Sequence, residues 1–521
     1  MKLIKSILFI LIILLFIKVD FRLQDKVYCC GDDHDYYSHS ETLAIDFDFD
    51  YSNQLEGFEE ARYHKGGKIA PIGFFGSGLL ASPFLFIGNI FDQLVNNTTQ
   101  ISYKLLFYSF SPIFYMYLAL KYLFKIKVLV NSKLSNISIL LLFLGSGVSY
   151  YAFERFSMTH IYEVFTITLI SYFSIIIHKN SKKRDIQKYS FLLVFFLFLG
   201  FNVRWVNYFI FIIPYYLPRL FELKKHNLLK LKIIYFFASI FGLLTLLINK
   251  LIYGIYTLNP NDIYESDIVG SALTNLISID NLIHYIRSFI IILFTKEFGI
   301  FFFSPAVFCG LLVSIYLFVK KPKKKLNLLG IIINFQVFAI VVIWQSTASS
   351  YGFRYLICLV PISIILIMKY LEVNKSLNYK YFTNFLLALS VFSFLSTLFF
   401  ETTLLTQLST DQQINSFGKS VRYTQPEYLE GYLKAFTSFN AYLKIFVTSF
   451  LGMIFFKFLF MFVDVETFLT FISNLGFNFT DDKVINLLIE YSDISWIYLS
   501  FVIFLTSLFV NKLINRIITN A

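Results

Sequence analysis

Charge is what this chain has least of. Only 15% of its 521 residues are Asp, Glu, Lys or Arg, where water-soluble domains carry about 25%. With 57% hydrophobic residues and a mean hydropathy of +0.66, the composition excludes an ordinary soluble enzyme. Cysteine is scarce as well. Cys29, Cys30, Cys309 and Cys358 make no disulfide framework, and the adjacent Cys29 and Cys30 cannot easily pair with each other. The chain also lacks a small-residue cleavage site after its first apolar stretch, where Lys18-Val19-Asp20-Phe21-Arg22 stands instead. That excludes a secretory peptide and predicts an uncleaved first span with a cytoplasmic N-terminus. The net charge of +12 raises the question of nucleic acid. The lysines, however, fall in short clusters between apolar runs, the mark of membrane orientation, so a nucleic-acid partner is excluded.

What the chain has in abundance is apolar runs of span length. After the first, they fall near 102–124, 135–151, 160–178, 189–203, 206–218, 231–252, 298–319, 327–343, 354–371, 380–400, 440–463 and 492–512. The segments 71–91 and 283–295 are apolar but short or Gly/Pro-broken, and read as interfacial or re-entrant. The fold class is therefore all-α: a polytopic membrane protein of about 11–13 transmembrane helices, with interfacial helices in the first extracytoplasmic loop. Clusters at Lys121–Lys133, Lys179–Lys188, Arg219–Lys230 and Lys320–Lys325 all come out cytoplasmic if the N-terminus is inside. The last span then puts Lys512 and Arg516 outside, against the rule. Residues 1–400 read as the catalytic membrane module, with a first loop over about 20–70. Residues 401–521 are an unassigned extension. An integral location in a bacterial plasma membrane is the expectation.

The opposite, extracytoplasmic face carries the residues with chemistry. Directly after the first span stands Gly31-Asp32-Asp33-His34-Asp35-Tyr36-Tyr37. Carboxylates held at a membrane interface are costly, and they are commonly kept for chemistry or for an ion. The same face carries isolated cations where such charges are normally depleted: Arg62, Lys65, Lys68, Arg155, Arg204, Arg287, Lys296 and Arg354. A single one reads as snorkelling to lipid headgroups. Several together suit an anion such as phosphate. Asp46, Asp48 and Asp50 alternate like a calcium loop, but Tyr51 and Gly57 occupy the positions where an EF-hand needs Gly and Glu. They read as a solvated edge. His34, His39 and His160 lack a diagnostic metal spacing.

These motifs resemble the GT-C membrane glycosyltransferases, nearest to the protein-mannosyltransferase and aminoarabinose-transferase group (family 39). Gly31-Asp32-Asp33-His34-Asp35-Tyr36 is similar to the Gly-Asp-Glu-x-x-Tyr start of that family's first loop. Ala70-Pro71-Ile72-Gly73 through Ser82-Pro83-Phe84 resembles its re-entrant piece. Glu154, Ser157, Met158 and His160 resemble a Glu-Pro-Ser-Met-Ser-His segment. Gly299 to Pro305 resembles Gly-Leu-Phe-x-x-Ser-Pro, and Trp344 with Tyr351-Gly352-Phe353-Arg354-Tyr355-Leu356 resembles a later Trp and Tyr-Gly-x-Arg-Tyr-Leu segment. The chain departs from the pattern in carrying Asp33 for Glu and Arg155 for Pro. The resemblance implies inverting transfer of a sugar from a polyprenyl-phosphate donor to a lipid, glycan or protein acceptor. Asp32 would be the general base and Asp33 a second catalytic carboxylate. Glu154, His160, Arg204, Arg287, Arg354 and Tyr351 would bind substrate. The resemblance fixes no cofactor and leaves room for a divalent cation; Asp33 or Glu154 could hold such an ion or the acceptor. The competing readings are a transporter or flippase of a lipid-linked sugar, or an O-antigen-type polymerase. The first is disfavoured by the lack of internal repeats and of carboxylates at mid-membrane positions.

Overall fold

The computed structural model describes residues 31–56, 64–95, 102–153, 155–179, 182–223, 228–259, 261–264, 279–294, 299–320, 325–344, 354–373, 378–399, 446–447, 450–460, 462–476 and 482–493. The fold is 83% helical, and the one sheet among these residues is a hairpin of β1 (His64–Lys65) and β2 (Lys68–Ile69). Five described helices are long and apolar enough to cross a membrane by length and composition.

The first loop opens with α1 (Gly31–Glu41). Ser38 and Ser40 donate back to the carbonyls of His34 and Tyr36, so a polar sequence buries with its hydroxyls satisfied. A π-helical turn, Thr42–Asp46, ends at Phe47 in the left-handed conformation (φ 59°). Helix α2 (Phe75–Val95) then runs 21 residues across Pro83. The expected break is absent because burial of Leu80, Ala81 and Leu85 outweighs the one backbone bond that proline removes.

Asp92 caps the turn into α3 (Tyr103–Leu129) by accepting from the Tyr103 and Lys104 amides. Tyr115 Oη donates to the Leu80 carbonyl, and Gly88 abuts the Tyr103–Lys104 backbone. Helices α2 and α3 are thus antiparallel, with α2 beside the first half of α3. At its other end, Gly76 meets the Asn202–Val203 backbone so closely that a Cβ would stand 2.4 Å from the Val203 nitrogen.

Next come α4 (Asn136–Phe143), a π segment at Leu144–Val148, and α5 (Ser149–Phe153). Gly147 at φ 80° makes that kink possible. Helix α6 (His160–Lys179) is buried from His160 to Ile177 and is one of the five long enough to cross. Helix α7 (Lys183–Val203) packs against it.

One expected span is not one. Residues 206–218 form a 3₁₀ turn, Tyr208–Phe211, followed by α8 (Ile213–Leu220). Eight residues reach about 12 Å, well short of the roughly 30 Å hydrocarbon core. Pro214 stands in the first turn of α8, where a proline starts a helix without losing a bond, and the 3₁₀ turn before it separates the run from α7. Without a crossing here, the count that put Arg219–Lys230 on the same side as Lys179–Lys188 fails at this point.

Besides two single turns, Asn261–Tyr264 and Ile300–Phe303, the helices that follow are α9 (Leu228–Tyr253), α10 (Ile279–Phe294), α11 (Pro305–Lys320), α12 (Lys325–Trp344), α13 (Val360–Val373) and α14 (Asn378–Phe399). A 3₁₀ turn, Arg354–Leu359, leads into α13. In the extension, α15 (Phe450–Leu459), α16 (Val465–Asn474) and α17 (Asp482–Asp493) are described. The predicted spans there fall in part, and 492–512 almost wholly, outside the described residues.

Candidate functional site

The start of α1 faces the turn between α5 and α6. Asp33 is 1% exposed and accepts from Arg155 Nη2 at 3.0 Å and from the Ser157 hydroxyl. That turn is held by its own backbone, Arg155 N to Tyr150 O and Met158 N to Arg155 O, both 3.1 Å. Asp33 is therefore a positioned anion, paired across 122 residues of sequence.

One turn into the fold stands a second carboxylate, Glu163, its side chain 1% exposed. A buried carboxylate must find donors or lose its charge, and this one finds several. Arg204 Nη1 donates at 2.9 Å, Asn207 Nδ2 at 2.8 Å and Thr159 Oγ1 at 2.7 Å. His160 Nδ1 lies 3.2 Å away. The C-terminal end of α7 delivers Arg204, and the irregular backbone after it turns Asn207 to the same carboxylate.

Tyr355 completes this wall. The Arg204 guanidinium lies 4.1 Å from its ring centre and that of Arg354 4.9 Å, while Arg354 Nη2 donates to its hydroxyl at 3.0 Å. Such guanidinium-on-ring contacts orient the cation while leaving its edge for hydrogen bonds. The His160 ring packs edge-on against Tyr151 at 4.6 Å and Tyr355 at 6.2 Å. Arg155 and Ser157, which hold Asp33, lie on the same short stretch of chain as Thr159 and His160, which flank Glu163. The two clusters thus share one wall, built from the first loop, the α5–α6 turn, the α7 end and the turn before α13.

The first loop is pinned beside it. His39 is fully buried, with Nδ1 2.8 Å from Tyr51 Oη and Nε2 2.8 Å from the Gly73 carbonyl. A carbonyl only accepts, so Nε2 carries the proton and Nδ1 takes the tyrosine's. Burial holds the His39 pKa down, at about 4. Tyr253, the last residue of α9, donates to the same Gly73 carbonyl at 2.9 Å. The Asp46–Asp50 stretch behaves as the expected solvated edge. Asp48 and Asp50 are exposed and, with Lys68, line an open cleft of about 540 Å³. Asp50 is lowered from the ordinary carboxylate range by hydrogen bonds from Ser52.

Of the residues predicted from sequence, Asp33, His160, Arg204 and Arg354 come together. The side chain of Asp32, and all of Glu154 and Tyr351, lie outside the described residues. Arg287 is exposed on α10, in a stripe with Ile283, Ile286 and Ile290, and no described residue of the cluster holds it. Glu163, Asn207 and Tyr355 belong to the site and were missed. A lone Glu at the head of an otherwise apolar span was the available signal for the first. Among the described residues no group of three or more His, Cys, Asp or Glu could hold a metal ion.

No family model matches the chain, and neither the curated proteins nor the solved structures contain a match to it.

Proposed function

We propose that this chain is a membrane glycosyltransferase of GT-C type. It moves a sugar from a polyprenyl-phosphate donor to an acceptor on the extracytoplasmic face of a bacterial plasma membrane. The observation that carries the reading is the gathering of Arg155, Arg204 and Arg354 with Asp33, Glu163 and His160 at the helix ends beside the first loop. Carboxylates and guanidinium groups on one wall suit a reaction that takes a proton from one partner and leaves a phosphate on the other.

In this reading Asp32 takes the proton of the acceptor hydroxyl as that oxygen attacks the anomeric carbon from the face opposite the phosphate. The carbon–oxygen bond to phosphate breaks and its electron pair leaves with the lipid phosphate, so the sugar is transferred with inversion. Arg354, carried at the turn before α13, meets the departing phosphate through its planar fork. Arg204 has already given one edge to Glu163, so its task is to shape the wall and stack Tyr355. Asp33, neutralised by Arg155, orients the start of α1 and so the backbone that carries Asp32.

Mass spectrometry of lipid-linked sugars and surface glycans tests this in cells with and without the chain. Loss of the chain should remove one sugar from the surface glycans and raise its polyprenyl-phosphate form. Asp32→Asn, which keeps size but not the base, should fail to restore transfer, with turnover lowered ~10² or more. Identical glycans and donor pools with and without the chain would overturn the proposal.

A further inference from the structure

The backbone between α7 and α8 is irregular, and Val206 and Phe209 within it are buried, so its polar groups need partners inside the protein. Helix α12 supplies what is needed. Gln336 Nε2 donates to the Val206 carbonyl at 2.6 Å, and Gln336 Oε1 accepts from the Phe209 amide at 2.7 Å. One side chain thus does for this turn what a neighbouring backbone does in a sheet, pairing one carbonyl and one amide three residues apart. Within the turn, the Asn207 amide donates to the Arg204 carbonyl at 3.2 Å. The residues Gln336 grips are therefore interleaved with the two that hold Glu163.

We infer that Gln336 is a positioning residue for the site: by clamping the 206–209 backbone it sets where Arg204 and Asn207 present their donors to Glu163. The inference rests on the proposed reaction for its functional half. Its structural half stands on the two hydrogen bonds. Other polar side chains of α12 do not share the task. Asn334, two residues before, donates to Ser314 Oγ and to the Gly330 carbonyl, and so ties α12 to α11 and to itself.

The chain carries its own reporter. Trp205 lies inside the clamped turn, buried and packed on Phe74 at 5.4 Å. The protein has three tryptophans. Trp344→Phe with Trp496→Phe leaves Trp205 as the sole emitter in the full-length chain. In that background Gln336→Leu removes both hydrogen bonds, and Asn334→Leu is the control for losing a buried amide from the same helix.

Gln336→Leu should raise acrylamide quenching of Trp205 by about twofold or more, because an unsatisfied turn opens to find partners. Asn334→Leu should leave it within error. Under the proposed reaction, Gln336→Leu should also lower turnover about tenfold, with a smaller change in KM for the polyprenyl-phosphate sugar. Gln336→Glu, which keeps the acceptor for the Phe209 amide, should recover part of the quenching protection. Equal Trp205 quenching in Gln336→Leu and Asn334→Leu would overturn the clamp. A moved Trp205 with unchanged transfer would overturn the assignment of Gln336 to the site. Absence of transfer by the wild-type chain would refute the reaction alone, and the fluorescence comparison would still decide the clamp.

Discussion

Glu163 and Arg204 should behave as a thermodynamic unit, and the structure gives the size of the effect. Their side chains are 1% and 8% exposed, so neither can turn to bulk water when the other is removed. Breaking a buried ion pair from one side costs about 3–5 kcal/mol, because an uncompensated charge is left behind. Glu163→Gln removes the charge and replaces one of the two acceptor oxygens with a donor. With the amide oxygen kept toward Arg204 and Thr159, the new nitrogen faces the Asn207 donor. The expected loss falls within that range, against a total stability of about 5–15 kcal/mol for typical proteins.

A double-mutant cycle measures the pair directly. Glu163→Gln, Arg204→Gln and the double variant are purified in the same detergent and their unfolding compared. The double variant removes both charges and leaves two amides able to bond one another, so it should be more stable than either single variant. The coupling should be about 2–3 kcal/mol, within the range for residues sharing a network. Strictly additive losses would refute the argument and show that Arg204 owes its place to Tyr355 and the α7 end.

The remaining expectations are briefer. His39 has its folded pKa depressed from 6.5 to about 4, so the unfolded chain binds the proton first as pH falls. Stability should be flat above about pH 6.5 and lost between there and pH 4. The loss totals about 3 kcal/mol, and comparison with His39→Gln in urea at each pH isolates this contribution. Arg354→Lys keeps a charge but not the fork, so it should weaken donor use roughly tenfold, about 1.4 kcal/mol. Wild-type kinetics in that variant would return Arg354 to lipid headgroups. Asp33→Asn keeps an acceptor for Ser157 but leaves Arg155 without its charge, and should cost about 1–3 kcal/mol of stability. Arg155→Gln in the same chain should return part of it.

How much of this was legible in the sequence depends on whether a residue's role is local. Helix α6 was readable because an unbroken apolar run fixes both length and type. The apolar run over 206–218 has the composition of a span but not its continuity. Pro214 marks the start of a short helix rather than the middle of a crossing one. Over 71–91 the helix runs on through Pro83, with Leu80 and Leu85 buried, a continuity that the proline hides in the sequence.

The site divides along the same line. Arg204 and Arg354 stood out because isolated cations on the face read from the lysine pattern as extracytoplasmic violate a rule that operates on sequence. The same rule also selected Arg287, since sign and side carry no information about which way a helix turns its residues. Glu163 was passed over because its reasons lie 41 and 44 residues away, in Arg204 and Asn207. A buried carboxylate at the head of an apolar helix is affordable only with donors already waiting. That condition works in reverse as a reading rule: an unexplained Glu inside a span demands a cation elsewhere on the same face, and this chain had already shown Arg204 as the cation without an explanation. Pairing the two anomalies would have located the wall of the site before any coordinates.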